Sequence, residues 1–129
     1  MQWKVELDES CDFVRAWQWD EFSLEDEALF LSDIFAGAHW RSGLGVLIDY
    51  RGLKVTDLTE ADLAAIRVIF QSARRRLASS RIALLCDTDV LFALGTHFGE
   101  MLASKLDNQV VVFRDEEAAV NWLATRRAA

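Results

Sequence analysis

The most reactive side chains in this sequence are one cysteine inside an apolar run and two isolated histidines. Cys86 ends the apolar run 82–86, where a thiolate could act as a nucleophile if its pKa were lowered. A cysteine-dependent phosphate-binding loop requires an arginine six residues later, and position 92 is Phe. His39 and His97 have no carboxylate, serine or second histidine at a spacing typical of a triad or metal pair. The sequence therefore predicts a core cysteine, and neither a metal nor a cofactor.

A second candidate for chemistry is the pair Asp87 and Asp89, which follows the same apolar run. An apolar strand that ends in D-x-D-V resembles the first motif of haloacid-dehalogenase-type phosphatases. That resemblance implies a nucleophilic first aspartate, a second aspartate as general acid, and Mg²⁺ held by both. Lys105 and Asp107 are poorly placed to supply the later lysine and acidic pair of those enzymes. A Mg²⁺-dependent phosphatase is the least favoured hypothesis, and the alternative is that Asp87 or Thr88 caps the following helix.

Two kinds of hydrophobic pattern predict the elements that must position these side chains. Alternation over residues 3–7 and apolar side chains on one face of 13–19 predict two strands of an antiparallel hairpin. Three continuous apolar runs are typical of parallel strands covered on both faces, and they lie near 46–48, 82–85 and 110–113. Helical spacing follows residue 23 and each of these runs. The predicted order β-β-α-β-α-β-α-β-α describes one α/β domain over residues 1–129, with a mixed, mostly parallel sheet and about four helices.

Apolar stripes assign a buried face to the first two helices. The first helix begins after Ser23, which forms a capping box with Asp26. Its stripe is Leu24, Ala28, Leu31 and Phe35. The second helix has one stripe that continues to its last turn, and it consists of Leu63, Ile66, Phe70, Ala73 and Leu77. Both helices are therefore expected to pack on the sheet through these positions.

Composition and charge exclude several classes of function. The 129 residues are 52% hydrophobic, which is enough for a core without a stabilising metal or disulfide. The net charge is −7, and residues 1–38 contain ten acidic against two basic side chains. Nucleic acid and anionic membrane surfaces are excluded as partners, since both require a basic patch. No apolar run approaches the ~20 residues of a membrane span. Cys11 and Cys86 lack CxxC spacing, so we expect free thiols in the cytoplasm.

The segment VLIDYRGLKVTDLTE resembles the STAS domain family of anti-sigma factor antagonists. In that family an apolar strand ends in Asp, a second Asp follows after seven residues, and Ser-Ser-Gly opens a helix. Asp49 and Asp57 have this spacing, and Thr59 lies where the family has its phosphorylated serine. Leu58 and Glu60 replace the first serine and the glycine. The acidic first strand pair, the strand RIALLCD and the ending VVFRDEEAAVNWL are similar to the SpoIIAA-like (STAS/Sec14-like) branch.

This resemblance implies a regulatory domain of bacterial signalling that binds a protein partner without catalysis and is sometimes switched by phosphorylation. The alternative is a binder of a small apolar or lipid-like molecule, as the Sec14-like comparison implies. A homodimer is a further expectation, because the basic cluster at 74–76 complements the acidic first third. Thr59 is either a phosphoacceptor or the N-cap of a capping box with Asp62. Capping is favoured because Asp57, Glu60 and Asp62 would repel a phosphate.

Aromatic side chains near the hairpin supply candidate binding residues. Trp17, Trp19 and Trp40 lie near the hairpin and the loop together with Phe13 and Phe22, and one inward face of the sheet could absorb some of them in the core. Those left outside the core would form a protein interface or one wall of an apolar pocket. Asp87 and Phe92 belong to the strand end and helix that would supply the opposite wall.

Overall fold

The computed structural model describes residues 1–10, 12–56, 58–77, 79–106 and 109–125. Its strands and helices, in chain order, are β1 (Gln2–Leu7), β2 (Phe13–Glu21), α1 (Leu24–Ala36), β3 (Gly45–Lys54), α2 (Glu60–Ser72), α3 (Arg74–Leu77), β4 (Arg81–Leu85), α4 (Asp89–Leu106), β5 (Gln109–Phe113) and α5 (Glu116–Thr125). The strands form one sheet in the order β1-β2-β3-β4-β5. β1 and β2 are antiparallel, and all other neighbours are parallel. The predicted mixed sheet with an N-terminal hairpin is confirmed.

Helices cover the two faces of the sheet unequally. We call the side that carries the three long helices α1, α2 and α4, together with the short α3, the three-helix face, and the side that carries α5 the α5 face. The core on the three-helix face includes Phe30, Ile48, Phe70 and Leu84. The smaller core on the α5 face consists of Phe13, Leu47, Ala83, Leu85, Ala119 and Leu123. In the described part of the chain, α5 packs on β3, β4 and β5 and leaves most of β1 and β2 uncovered on its side.

The continuous apolar runs occupy the strands that their pattern predicts, with one difference. Val46, Leu47 and Ile48 of β3 are all buried, because helices cover both faces of this strand. The residues of β4 from Ile82 to Leu85 are buried in the same way. β5 is only partly covered, and Val111 is 37% exposed. This strand has a neighbour on one side only, so it lies at the edge of the sheet. The prediction that it is a central strand covered on both faces is wrong.

The second helix ends earlier than its apolar stripe predicts. α2 stops at Ser72, and the separate helix α3 carries Leu77. The backbone N–H of Ala73 donates to the carbonyl oxygen of Phe70 at 3.0 Å, a bond three residues back that tightens the last turn. The Ser72 hydroxyl also donates to the carbonyl oxygen of Ile69 at 2.6 Å. Ala73 and Leu77 remain buried, so the stripe keeps its packing. Because of this break the described residues form five helices, one more than predicted.

Two expectations from the sequence concern membrane-spanning helices and metal sites. Within the ranges that the structure describes, no helix has both the length and the apolar character that crossing a membrane requires. The same ranges contain no group of three or more His, Cys, Asp and Glu side chains arranged to hold a metal ion.

Candidate functional site

A mostly apolar cleft lies on the three-helix face, between α1, α2 and α4. It is formed where β3 and β4 end, and ligands of open α/β sheets bind outside the carboxyl ends of strands. About 530 Å³ of empty space lies in the cleft and its open mouth, and about 50 Å³ is wide enough for the centre of a water molecule. Its lining side chains come from three helices, two strands and their connections: Phe22, Glu27, Tyr50, Leu53, Val55, Leu58, Ile66, Phe70, Leu84, Leu91, Leu94 and Gly95.

Glycine in α4 determines how closely this helix approaches the sheet. A Cβ atom at Gly95 would lie 3.3 Å from Cys86 Sγ and 3.4 Å from Val112 Cγ1. A larger residue would require these neighbours or α4 to shift by a few tenths of an ångström, which is a packing reason for a glycine that costs about 1 kcal/mol in helix propensity. The close approach brings Leu91 and Leu94 into the wall of the cleft.

One carboxyl group is buried in this apolar wall. Glu27, in the first turn of α1, is 3% exposed, and Gln18 of β2 is 1% exposed beside it. Gln18 Nε2 donates to Glu27 Oε2 at 2.9 Å. Burial raises the pKa of Glu27 from 4.5 to about 7, and the hydrogen bond from Gln18 opposes part of that rise. Near neutral pH this carboxyl is therefore present in both its protonated and its ionised form.

Tyr50 is the second polar side chain that lines the cleft. Burial raises the pKa of its phenol well above 10.0, and the charges that Glu27 and Cys86 carry when they are ionised add to the effect. The phenol therefore stays protonated at neutral pH. Since all other lining residues are apolar or glycine, Glu27 and Tyr50 supply the polar side-chain atoms of the wall.

Cys86 is a buried thiol beneath α4, as its position in an apolar run predicts. Burial raises its pKa from 9.0 to about 11, and the charges of Asp87 and Asp49 contribute. A thiol with this pKa carries almost no thiolate at neutral pH. Its environment therefore suits a core residue and not a nucleophile.

Asp49 lies away from the cleft, in an ion-pair network on the α5 face. Arg51 Nη2 is 2.7 Å from Asp49 Oδ2 and 2.8 Å from Glu116 Oε1. Glu116 also lies 3.3 Å from Arg15, so the network connects β2, β3 and α5. The hydrogen bond to Asp49 raises the pKa of Arg51 above its usual value. Within this network Asp49 orients an arginine that holds α5 against the sheet.

Thr59 is the N-cap of α2, and its partner in the family motif, Asp57, lies outside the described residues. The backbone N–H of Asp62 donates to Thr59 Oγ1 at 3.1 Å. The backbone N–H of Thr59 donates to Asp62 Oδ2 at 3.0 Å, which completes the capping box. The capping interpretation is confirmed. Whether Thr59 also accepts a phosphate stays a prediction, and its side chain is exposed.

Thr59→Ala is expected to lower the free energy of unfolding by about 1 kcal/mol, because the variant loses the hydroxyl that accepts from the N–H of Asp62. Thr59→Ser keeps that acceptor and is the matched control. Urea denaturation of the two variants and the wild type measures the difference. Equal stability of all three proteins would contradict a capping role.

The predicted binding residues are spread over several surfaces. Trp17 lies near Lys4 on the uncovered part of the α5 face, with the ammonium 5.2 Å from the ring centroid. Trp19 is 39% exposed. Trp40 packs edge-on against Phe35 at a centroid distance of 4.8 Å. The residues of the other group, Asp87 and Phe92, lie near the start of α4, the first exposed and the second half-buried beneath Arg114. The structure does not bring these five residues together, and none of them lines the cleft.

The D-x-D segment has partners of its own. The backbone N–H of Leu91 donates to Thr88 Oγ1 at 3.2 Å, so Thr88 caps α4 as the structural alternative predicts. Asp89 Oδ1 accepts from Arg114 Nη2 at 2.6 Å. Of the residues considered for the later phosphatase motifs, Asp107 lies outside the described residues, as does the side chain of Lys105. The phosphatase hypothesis has no further support from these contacts.

Sequence patterns missed the buried carboxyl because the predicted stripe of α1 is only partly correct. Leu31 is buried as predicted, and Leu24 and Phe35 are half-buried against the same core. The predicted stripe placed Ala28 toward the core, but Ala28 is exposed and Glu27 is buried. The buried positions of α1 are Glu27, Phe30, Leu31 and Ile34, which have the spacing i, i+3, i+4 and i+7. The signal in the sequence that could have identified the buried carboxyl was a polar residue at the first of four positions with this helical spacing. Its meaning depends on Gln18, which lies nine residues earlier on another element, β2.

Comparisons with known proteins bear on the fold. No family model matches this chain, and no curated protein matches it. Among solved structures, an uncharacterized protein of the DUF3478 family with a SpoIIAA-like fold, from Shewanella loihica PV-4, is similar. The match covers 94% of this chain and 93% of that protein, with a TM-score of 0.63 and 14% sequence identity. This chain therefore has the STAS/SpoIIAA-like α/β fold that its resemblance implied.

Proposed function

We propose that this protein binds a small, mostly apolar molecule in the cleft between α1, α2 and α4, and that it acts by binding and not by catalysis. The observation that carries the proposal is the composition of the cleft wall, in which Glu27 and Tyr50 are the polar side chains among apolar ones. Binding sites for small molecules are typically apolar concavities with a few polar groups that orient the ligand. Among the hypotheses from sequence, this supports the Sec14-like alternative more than a protein-binding regulator.

The shape of the cleft limits the ligand. Only about 50 Å³ of the cleft is wide enough for the centre of a water molecule, because much of the empty space of about 530 Å³ lies between closely spaced side chains or in the open mouth. A ligand must therefore be slender, or the side chains of the wall must move apart. On one side of the cleft that wall consists of Leu91, Leu94 and Gly95 of α4. A flexible alkyl chain fits this shape better than a rigid ring system.

Leu94→Trp is expected to abolish ligand binding, because the larger side chain fills the cleft that Leu94 lines. The matched control is Val90→Trp, since Val90 lies on the same helix but is 63% exposed and does not line the cleft. Native mass spectrometry of freshly purified protein provides the measurement. A copurifying small molecule should appear with the wild type and with Val90→Trp, and should be absent from Leu94→Trp.

The same measurement separates this proposal from its rival. A wild-type protein that is a clean apo dimer would contradict the ligand hypothesis and favour the protein-interaction hypothesis. Loss of the bound mass from both tryptophan variants would also contradict the cleft as the site. Circular dichroism of each variant shows whether it is folded, so that a loss of binding can be assigned to the cleft.

A second candidate is the regulatory protein interaction that the STAS resemblance implies, and the uncovered part of the α5 face favours it. There Trp17 lies between Lys4 and Arg15, whose cationic groups are 5.2 and 5.8 Å from its ring centroid. Tryptophan and arginine are enriched among the residues that contribute most to protein interfaces. A phosphate at Thr59 would be the switch in this hypothesis. Thr59→Glu that matches the wild type in both partner binding and stability would count against it.

We place the protein in the cytoplasm in either case. The buried thiol of Cys86 supports this location, because free thiols persist in reducing compartments.

A further inference from the structure

The buried pair of Glu27 and Gln18 has unused hydrogen-bonding capacity. Gln18 uses its amide N–H to bind Glu27, but its own Oε1 is buried without a hydrogen-bond partner. Among the residues that line the cleft there is no lysine, arginine or histidine. The described ion pairs of the protein all lie elsewhere and involve other carboxylates. Glu27 therefore contributes a carboxyl group to an apolar cleft without a countercharge.

Such an arrangement is costly to the free protein. Transfer of an ionised carboxylate into apolar surroundings is strongly unfavourable unless a charge or several hydrogen-bond donors compensate. Neither is present around Glu27, since its described hydrogen-bond donor is the neutral amide of Gln18. A ligand that brings a positive charge would supply the missing compensation. A ligand with a carboxylate would add repulsion to the same cost.

We propose that the ligand of the cleft is an apolar molecule whose single polar end is a protonated amine, held by the Glu27 carboxylate. This inference rests on the proposed function, because it assigns the ligand class of the same cleft. The apolar body lies along the leucine side chains of α4, and the ammonium group donates to Glu27. Gln18 holds the carboxylate in place from behind.

The groups that face Glu27 determine how pH acts on this site. β2 supplies the neutral Gln18, and β3 supplies Tyr50, whose pKa is raised well above its usual range, so that it stays neutral. The side chains that α2 and α4 contribute to the cleft are apolar: Ile66, Phe70, Leu91 and Leu94. On α1 itself, Asp26 is paired with the N-terminal amine of Met1. Glu27 is thus the group that changes charge near neutral pH.

The test compares three probes of equal chain length: n-hexylamine, n-hexanol and n-hexanoate. Isothermal titration calorimetry at about pH 8, where the amine is protonated and Glu27 is ionised, measures their affinities for the wild type. Hexylamine is expected to bind about tenfold more tightly than hexanol, and hexanoate more weakly than either. The preference for the amine should decrease about tenfold at about pH 5, where Glu27 is protonated.

Glu27→Gln should remove the preference for hexylamine while hexanol still binds. Glu25→Gln is the matched control, because Glu25 lies in the same turn of α1 but is exposed, and this variant should keep the preference. A second measurement needs no variant: carbon-13 NMR of the Glu27 carboxyl in the wild type. Saturating hexylamine should lower its titration midpoint from about 7, whereas hexanol should leave it unchanged.

The outcomes separate this inference from the function on which it rests. Equal binding of all three probes, or an unchanged midpoint with hexylamine, would overturn the amine assignment and leave an apolar cleft. Hexylamine binding that Leu94→Trp does not weaken would overturn it as well, because the amine would then bind elsewhere. If none of the three probes binds the wild type, both the amine assignment and the proposed function are wrong.

Discussion

Glu27→Gln is expected to raise the free energy of unfolding at about pH 8 by about 1–3 kcal/mol. The wild-type protein buries a carboxylate that is 3% exposed and has no countercharge, and the variant replaces it by a neutral amide of similar shape. Gln18 can still donate to the new side-chain oxygen. An isosteric change that removes a charge from the core is therefore stabilising in this position, although most core substitutions destabilise.

The pH dependence of this effect has a definite sign. The pKa of Glu27 is about 7 in the folded protein, against an ordinary value of 4.5, so the folded state binds the proton more tightly. The contribution of Glu27 to stability is fully present below about pH 4.5 and is lost as pH rises to about 7. A shift of this size corresponds to about 3 kcal/mol between the two limits. The variant should therefore be more stable than the wild type at about pH 8, and the difference should disappear at about pH 4.

Urea denaturation at a series of pH values measures this difference. The control is Glu25→Gln, which removes an exposed carboxylate from the same turn and should change stability little at any pH. A Glu27→Gln variant that is less stable than the wild type at about pH 8 would contradict the argument. So would a stability difference that is independent of pH.

Leu84→Ala is expected to lower the free energy of unfolding by about 2–5 kcal/mol and to widen the cleft. Leu84 is 1% exposed and lies in the floor of the cleft, on the three-helix face of β4. Leu85→Ala is a closely matched control. Leu85 is the next residue, it is 0% exposed, and it packs on the opposite face of the sheet against α5. Both variants lose the same chemical groups from the same strand, so their losses of stability should be similar.

The two variants should differ when a ligand is added. The cavity created at Leu84 joins the cleft and is reachable from outside, whereas the one at Leu85 lies beneath α5 on the other face. Hexanol should therefore raise the melting temperature of Leu84→Ala more than that of Leu85→Ala, because a ligand that binds only the folded state stabilises it. Equal shifts in the two variants would show that the cleft is not the binding site.

Local sequence patterns predicted the sheet correctly. They did not predict the end of α2 or the full buried face of α1. The continuous apolar runs of β3 and β4 identified central parallel strands, because such strands are covered on both faces and tolerate few polar residues. The same kind of run in β5 did not reveal that this strand lies at the edge. The stripe of α2 did not reveal its end at Ser72, because Ala73 and Leu77 stay buried across the break.

The N-cap of α2 was predictable because, like the apolar runs of the strands, it is contained in a short stretch of sequence. Thr59 and Asp62 interact across three residues, so their hydrogen bonds depend only on local sequence. The ion-pair network of Asp49 was not predictable in this way. Its members Arg15, Arg51 and Glu116 come from three elements, and only the arrangement of β2, β3 and α5 brings them together.

The amino-acid pattern thus established the fold class and the helix cap, since both depend on the periodicity of apolar side chains and on neighbours a few residues apart. The cleft and its buried carboxyl group exist only in the tertiary structure. Glu27 lies nine residues from Gln18, and the apolar groups around it come from elements distributed from Phe22 to Gly95. The pKa of a carboxyl group depends on everything packed around it, and no local pattern contains that information. The Glu27 carboxyl group, which we propose binds the ligand, therefore owes its properties to the tertiary structure.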